Sequence, residues 1–179
     1  MGIPEKQKDV KLIVSLIFKD RGKLGSAIKK LRSLFGETED LEADLEFEYT
    51  DYYYEEFGKP LKRKIICFKK LISLENISKI KLETNKIEND LAVSGKRTVN
   101  IDPGYVTEAK LVLLTTKDYT HRVYVGDRIF AESTLNFKDG TFDPWPWTYP
   151  DYGSRELVDH FNSVRELYMR QIRKGEGKN

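Results

Sequence analysis

Cysteine and histidine are scarce in this sequence, and long apolar runs are missing from it. The single cysteine, Cys67, excludes a disulfide within the chain and fits a reducing compartment. No apolar run approaches the roughly 20 residues that a membrane-spanning helix needs. Residues 1–6 lack the apolar core of a signal peptide. We therefore predict a cytoplasmic protein that has no membrane partner.

An excess of charge of either sign is also missing. The 31 basic and 29 acidic side chains give a formal net charge of +2, which is too small to indicate nucleic-acid binding by itself. We therefore expect no DNA partner, while an RNA or protein partner stays open. Neither Cys67 nor His160 has zinc-ligand spacing to His121, so no metal site is predicted. Nothing in the sequence specifies a cofactor.

One segment of the sequence resembles a nucleotide-binding motif, but the motif is incomplete. The segment Ser94–Thr98 (SGKRT) resembles a phosphate-binding loop, but Arg97 stands where serine or threonine should follow the lysine. Asp90 occupies the place of the earlier glycine. The sequence therefore excludes a phosphate loop of the GTPase type.

Hydrophobic periodicity predicts a β-α-β-β-α-β order in a core of about residues 10–102. The first strand is a nearly continuous apolar run, and the helices repeat apolar residues at three-four spacing. This order is typical of a ferredoxin-like split βαβ unit, so we predict the α+β class. The predicted elements are a strand at 11–18, a helix from Asp20 to Gly36, strands at 45–49 and 63–68, a helix from Ser73 to Leu91, and a strand at 97–101.

An extension at 103–173 follows this core within one domain spanning 1–179. Residues 107–116 fit either a helix or a buried strand. Next come a hairpin at 122–125 and 128–137 and a terminal helix capped by Ser154. The proline–aromatic segment 144–150 excludes a regular helix or a central strand. We interpret it as a packed strap with Trp147 buried, the alternative being a lid. A frayed tail is expected at 174–179.

Charge is distributed unevenly along the first half of the chain. Residues 37–56 hold ten acidic side chains and no basic one, whereas residues 59–81 hold eight basic ones. The acidic strand suits a divalent cation, and the basic block suits a phosphate surface. Pairing of the two segments as antiparallel strands explains both without a ligand, and we favour that interpretation.

The densest set of reactive side chains runs from Asn100 to Tyr124. His121 is the best acid–base candidate, because its ordinary pKa lies nearest neutrality, and Asp102 or Asp118 is placed to orient it. The alternative is a solvated loop before the hairpin. The candidate catalytic residues are therefore His121 and Asp102, and the candidate ligand-binding residues are Lys117, Arg122, Lys110, Asp118 and Tyr105.

Three functions from different classes fit these features. The leading hypothesis is binding of a phosphate-bearing small molecule or nucleotide, because Lys117 and Arg122 suit an anion. A second is a non-catalytic module that docks a protein or RNA through Tyr52–Tyr54 and Trp145–Trp147. A third is a hydrolase or transferase with His121 as general base.

Several polar strings carry a resemblance that extends over most of the chain. The chain resembles a bacterial family of uncharacterised proteins, domain of unknown function family 4416. The resemblance implies no catalytic residue, although some members carry a loose GTP-binding label. The strings are 49–53 (YTDYY), 61–63 (LKR), 81–85 (KLETN), 100–105 (NIDPGY), 110–112 (KLV), 115–118 (TTKD), 121–124 (HRVY) and 146–152 (PWTYPDY).

Overall fold

The fold is a mixed α+β arrangement built on one antiparallel sheet. The computed structural model describes residues 2–3, 7–41 and 43–176, and these residues form eight strands and four α-helices. The strands are β1 (Val10–Phe18), β2 (Ala43–Glu46), β3 (Lys62–Ile72), β4 (Val99–Val106), β5 (Lys110–Thr115), β6 (Arg122–Gly126), β7 (Ile129–Lys138) and β8 (Thr141–Pro144). The helices are α1 (Arg21–Phe35), α2 (Tyr54–Phe57), α3 (Ile77–Leu91) and α4 (Arg155–Glu176), with a 3-10 turn at Asp51–Tyr53.

Strand β1 is apolar apart from Lys11 and Ser15, because helices cover both of its faces. Leu12 and Val14 pack in one cluster with Leu31 of α1 and Ile87 of α3. Ile13 packs in a second cluster with residues of α4, namely Leu157, Phe161 and Val164. Burial on both faces removes the polar alternation that a half-exposed strand shows.

The sheet order is β2-β3-β1-β4-β5-β7-β6, with β8 paired to β7, and each pairing is antiparallel. The pairing of the acidic and basic segments is confirmed at β2 and β3. Lys62 Nζ lies 2.6 Å from Glu46 Oε1, and Lys64 Nζ lies 3.8 Å from Asp44 Oδ2. Opposite charges thus face each other across neighbouring strands without a ligand.

Of the predicted helix caps, Asp20 is confirmed here and Ser73 is wrong. Asp20 accepts a hydrogen bond from the Lys23 N–H at 2.9 Å, as predicted for the start of α1. Ser73 does not cap α3. Its hydroxyl accepts from the Glu75 N–H inside a turn, and the helix begins later, at Ile77. The sequence prediction missed the extra turn because serine stabilises turns by the same type of bond.

The second half of the chain extends the sheet. The ambiguous segment 107–116 contains strand β5, and the predicted hairpin is confirmed as β6 and β7. Ser154 accepts from the Leu157 N–H at the start of α4, which continues to Glu176. Residues 177–179 of the predicted tail lie outside the described residues. None of the helices in the described ranges has both the length and the apolar character that crossing a membrane requires.

The expected burial of Trp147 is wrong. The side chain is 38% exposed, and Trp145 is 37% exposed. Their indole N–H groups donate to the Ser133 carbonyl at 3.0 Å and to the Ser133 hydroxyl at 3.3 Å, respectively. These bonds attach the rings to the surface of β7 and leave their edges in solvent.

His160 of α4 should make the protein sensitive to acid. It is buried, and burial lowers its pKa to about 4 from 6.5. Below pH 6.5 the unfolded chain therefore binds a proton at His160, whereas the folded protein does not bind it until the pH approaches 4. The stability that comes from keeping His160 neutral is thus fully present above pH 6.5 and is lost as the pH falls towards 4. Between pH 7 and pH 4.5 we expect the free energy of unfolding to fall by about 2 kcal/mol less in His160→Phe than in the wild type, because the variant has no imidazole to protonate. Urea unfolding of both proteins at both pH values measures this difference, and parallel losses would contradict it.

Candidate functional site

The sheet opens between β4 and β5. These strands pair only where Gly104–Val106 meets Leu111–Leu113. From Val99 to Pro103, β4 pairs with β1 alone, while β5 continues beside β7 to Thr115. A cavity of about 570 Å³ lies at this opening, lined by residues of α3, β4 and β5, the 49–53 segment and the 149–152 segment. We call this cavity the β4–β5 cleft.

Two side chains of α3 occupy the place that a neighbouring strand would take beside β4. Lys81 Nζ donates to the Ile101 carbonyl at 2.9 Å, and the Glu88 carboxylate accepts from the Ile101 N–H. Lys81 also lies 3.0 Å from Asp102 Oδ1, and the Asn100 amide donates to Asp102 Oδ2 at 2.6 Å. The free edge of β4 is thus satisfied by charged side chains, which keeps the cleft open and polar.

The two carboxyl groups beside Lys81 have pKa values shifted in opposite directions. Burial alone would raise the pKa of Asp102, but the Lys81 ammonium and the Asn100 amide outweigh it and lower that pKa. Burial raises the pKa of Glu88 despite its bond from the Ile101 N–H and the nearby Lys81 charge. Asp102 is therefore a fixed acceptor, and Glu88 is the carboxyl that takes up a proton more readily.

Arg63 forms the inner wall of the cleft together with Asp151. Arg63 Nη2 lies 2.7 Å from Asp151 Oδ2, and Nη1 donates to the Ser15 hydroxyl at 3.0 Å. The guanidinium carbon lies 4.9 Å from the Phe47 ring centroid and 4.8 Å from that of Tyr152. Burial would lower the pKa of Arg63, but Tyr152 and Asp151 raise it, so the side chain stays charged. Among the described residues, its buried Nε has no hydrogen-bond partner.

A second arginine ties the 49–57 segment to the cleft. Arg97 Nη2 donates to Glu56 Oε2 at 2.6 Å, and Arg97 Nε donates to Glu56 Oε1 at 2.9 Å. The hydrogen bond from Arg97 lowers the pKa of Glu56. This two-point contact fixes α2, and with it the cleft-lining residues Thr50, Tyr52 and Tyr53.

Lys117 differs from the other cations of the cleft. Five basic side chains line it, and four of them form ion pairs with carboxylates: Arg63, Lys81, Arg97 and Arg122. In the part of the chain that the structure describes, Lys117 Nζ meets only a neutral group, the Tyr52 phenol. It donates to the hydroxyl at 3.0 Å and lies 4.4 Å from the ring centroid. Exposed tyrosines that also line the cleft surround its mouth: Tyr49, Tyr52, Tyr119 and Tyr149.

The structure brings together some of the candidate residues and separates the others. Asp102, Lys117 and Arg122 line the cleft. His121 lies in a separate shallow pocket with Val123, Pro146 and Trp147. Its ring nitrogen pairs at 3.0 Å with Glu132 Oε2, the same oxygen that Arg122 Nε contacts at 2.8 Å. The orienting carboxylate of His121 is therefore Glu132, in place of Asp102 or Asp118.

The remaining candidates lie outside the lining of the cleft. Lys110 is exposed at the opposite end of β5, and Asp118 is exposed in the loop after it. Tyr105 packs against a small apolar cluster beneath α3 that includes Ile77 and Leu114. Burial raises its pKa, so its phenol stays neutral.

Six charged residues of the site were missed by sequence reasoning. For two of them a signal was present: Lys81 and Glu88 lie two turns apart on the apolar stripe of α3, where Thr84 also falls. Charged side chains on a buried stripe require partners, and therefore mark a polar site. The six residues are Arg63, Lys81, Glu88, Arg97, Glu132 and Asp151.

Comparison with known proteins places the chain in a family without assigning it an activity. The family described as "Domain of unknown function (DUF4416)" matches residues 8–168, so the chain belongs to this family. No curated protein and no solved structure matches the chain. The function must therefore be argued from the cleft itself.

Proposed function

We propose that the β4–β5 cleft of this DUF4416 protein binds a small phosphate-bearing molecule, with nucleotides among the candidates. The observation that carries the proposal is Lys117, a cleft-lining cation at the mouth whose contact is a neutral phenol. A phosphate oxygen forms a stronger, charge-assisted hydrogen bond with an ammonium group than a phenol does. Lys117 is therefore free to exchange Tyr52 for a ligand without leaving a carboxylate unpaired.

Neighbouring groups support an anion at this position. Thr115 and Thr116 line the cleft beside Lys117, and Arg122 Nη1 donates to the Lys117 carbonyl at 3.0 Å. Five cations line the cleft, and the ion pairs of the described residues provide a carboxylate for each of them except Lys117. Its volume of about 570 Å³ also lies within the range of small-molecule sites.

Lys117→Ala should weaken phosphate-ligand binding by about tenfold or more, because one charge-assisted hydrogen bond is lost. Lys110→Ala is the matched control, since it removes an exposed lysine at the start of β5, whereas Lys117 follows the end of that strand, at the cleft. A thermal-shift screen with inorganic phosphate, sugar phosphates and nucleotides, followed by calorimetry on each compound that binds, measures the effect. The proposal fails if no compound of this panel binds, or if both variants bind as the wild type does.

For the fold, we also propose that Val10–Val106 is a ferredoxin-like unit. The proposal is supported by the antiparallel order β2-β3-β1-β4 and by α1 and α3 packing in one cluster. An experimental structure with a different strand order would contradict it.

A further inference from the structure

Strand β6 forms an open edge of the sheet. Within the described residues it has a neighbour on one side only, β7. Val123 and Tyr124, which are adjacent and therefore point to opposite faces, are 68% and 59% exposed. An edge strand with exposed apolar side chains offers both backbone and side-chain contacts to another strand.

The two edges of the sheet differ in charge. At the opposite edge, β2 carries Asp44 and Glu46, which pair with flanking cations such as Arg21 and Lys62. Such charges oppose pairing with another strand. The only charged residue of β6 is Arg122, whose side chain is 6% exposed and is held by Glu132. The edge at β6 therefore presents no charge against a partner strand.

A rigid aromatic column lies beside this edge. The rings of Tyr119, His121, Trp147 and Trp145 are stacked in that order, with centroids 5.2–6.2 Å apart and interplanar angles of 8–14°. His121, Val123 and Trp147 share one shallow pocket, so the column is continuous with the edge of β6. Exposed, preorganised aromatic surface of this kind is enriched in protein interfaces.

We propose that β6 is a dimerisation edge, on which a second copy of this chain pairs its own β6 antiparallel about a twofold axis. A twofold interface brings the same surface of each copy together, so the surface must not repel itself, and the uncharged edge of β6 meets that condition. A charged peptide is a less suitable partner, because β6 presents no opposite charge that would attract it. Antiparallel pairing also places the aromatic column of each copy beside the 126–128 turn of the other.

The test is sedimentation velocity of the ligand-free protein at increasing concentration. We expect the wild type to shift from 20.9 kDa to twice that mass. Val123→Lys should raise the dimer dissociation constant by more than about tenfold, because two lysines then meet near the axis. Val93→Lys is the matched control, since Val93 is 53% exposed and lies after α3, away from β6.

This test does not depend on the proposed ligand binding, because it uses the ligand-free protein. A wild type that stays monomeric throughout the concentration range overturns it, and so does a dimer that survives both Val123→Lys and Tyr124→Lys. A dimer lost in either β6 variant but kept in Val93→Lys supports it, provided that circular dichroism shows the variant to be folded. Both side chains are exposed, so neither substitution disturbs the core.

Discussion

Replacing Gly104 by alanine is expected to lower the free energy of unfolding by about 3 kcal/mol or more. A Cβ at this position would lie 2.3 Å from the Val112 carbonyl oxygen and 2.8 Å from Leu113 Cδ2. The nearer atom belongs to the backbone of β5, so no side-chain rotation relieves the clash. The strands must separate, and they would do so at the three residue pairs that hold β4 to β5.

Gly25→Ala is the control, because it is expected to raise the free energy of unfolding that Gly104→Ala lowers. Gly25 lies in α1, where an added Cβ meets no atom of the described residues within 4 Å. Alanine there should stabilise the protein by about 0.5–1 kcal/mol, because glycine is a poor helix former. Chemical denaturation of both variants measures the two effects. Wild-type stability in Gly104→Ala would show that β4 and β5 approach each other less closely than described.

The position of Gly104 also explains why the cleft exists. On one side of it, β4 and β5 pair closely; on the other, Asp102 and Asn100 face the cavity, and α3 side chains take the place of a strand. Widening the pairing at Gly104 should therefore alter the cleft as well as the stability. If the wild type binds a phosphate ligand, the Gly104→Ala variant should bind it more weakly even under conditions in which the variant is still folded.

The sequence specifies the local elements well because each has its own signal. The nearly continuous apolar run of β1 and the Asp20 cap depend on neighbours close in the chain. The alternation at 45–49 predicts a strand but misplaces it, because β2 is Ala43–Glu46, where it pairs with β3. Segment 107–116 was ambiguous because Leu111–Leu114 suits burial in either a helix or a strand. Its pairing with β4 and β7, which lie at different distances along the chain, decides the matter.

The candidate site was harder to predict because its members come from distant parts of the chain. Asp102, Lys117 and Arg122 were found through their closeness in sequence to His121, yet His121 itself faces another pocket. Arg63 was assigned to a charged strand that pairs with an acidic one, and its partner Asp151 lies 88 residues later. No periodicity or spacing rule connects two such positions; only the folded sheet does.

Asp151→Asn is expected to lower the free energy of unfolding by about 3 kcal/mol. The amide keeps an oxygen for the Tyr152 N–H at 2.9 Å, and an uncharged NH2 group then replaces Oδ2, the oxygen that lies 2.7 Å from Arg63 Nη2. Arg63 is 7% exposed and would then hold its positive charge between two aromatic rings without its paired carboxylate, although the Asp102 charge still acts on it. The rings attract the cation, but a buried charge needs an ionic partner to offset its lost hydration.

A double-mutant cycle separates this effect from simple loss of packing. Arg63→Met removes the buried charge from the other side and retains an apolar chain between Phe47 and Tyr152. We expect the double variant with Asp151→Asn to lose clearly less stability than the two single variants added together, because the second substitution removes the charge that the first left unpaired. Strictly additive losses in urea unfolding would mean that Arg63 and Asp151 contribute independently. The inner wall of the cleft would then depend on packing and not on the Arg63–Asp151 ion pair.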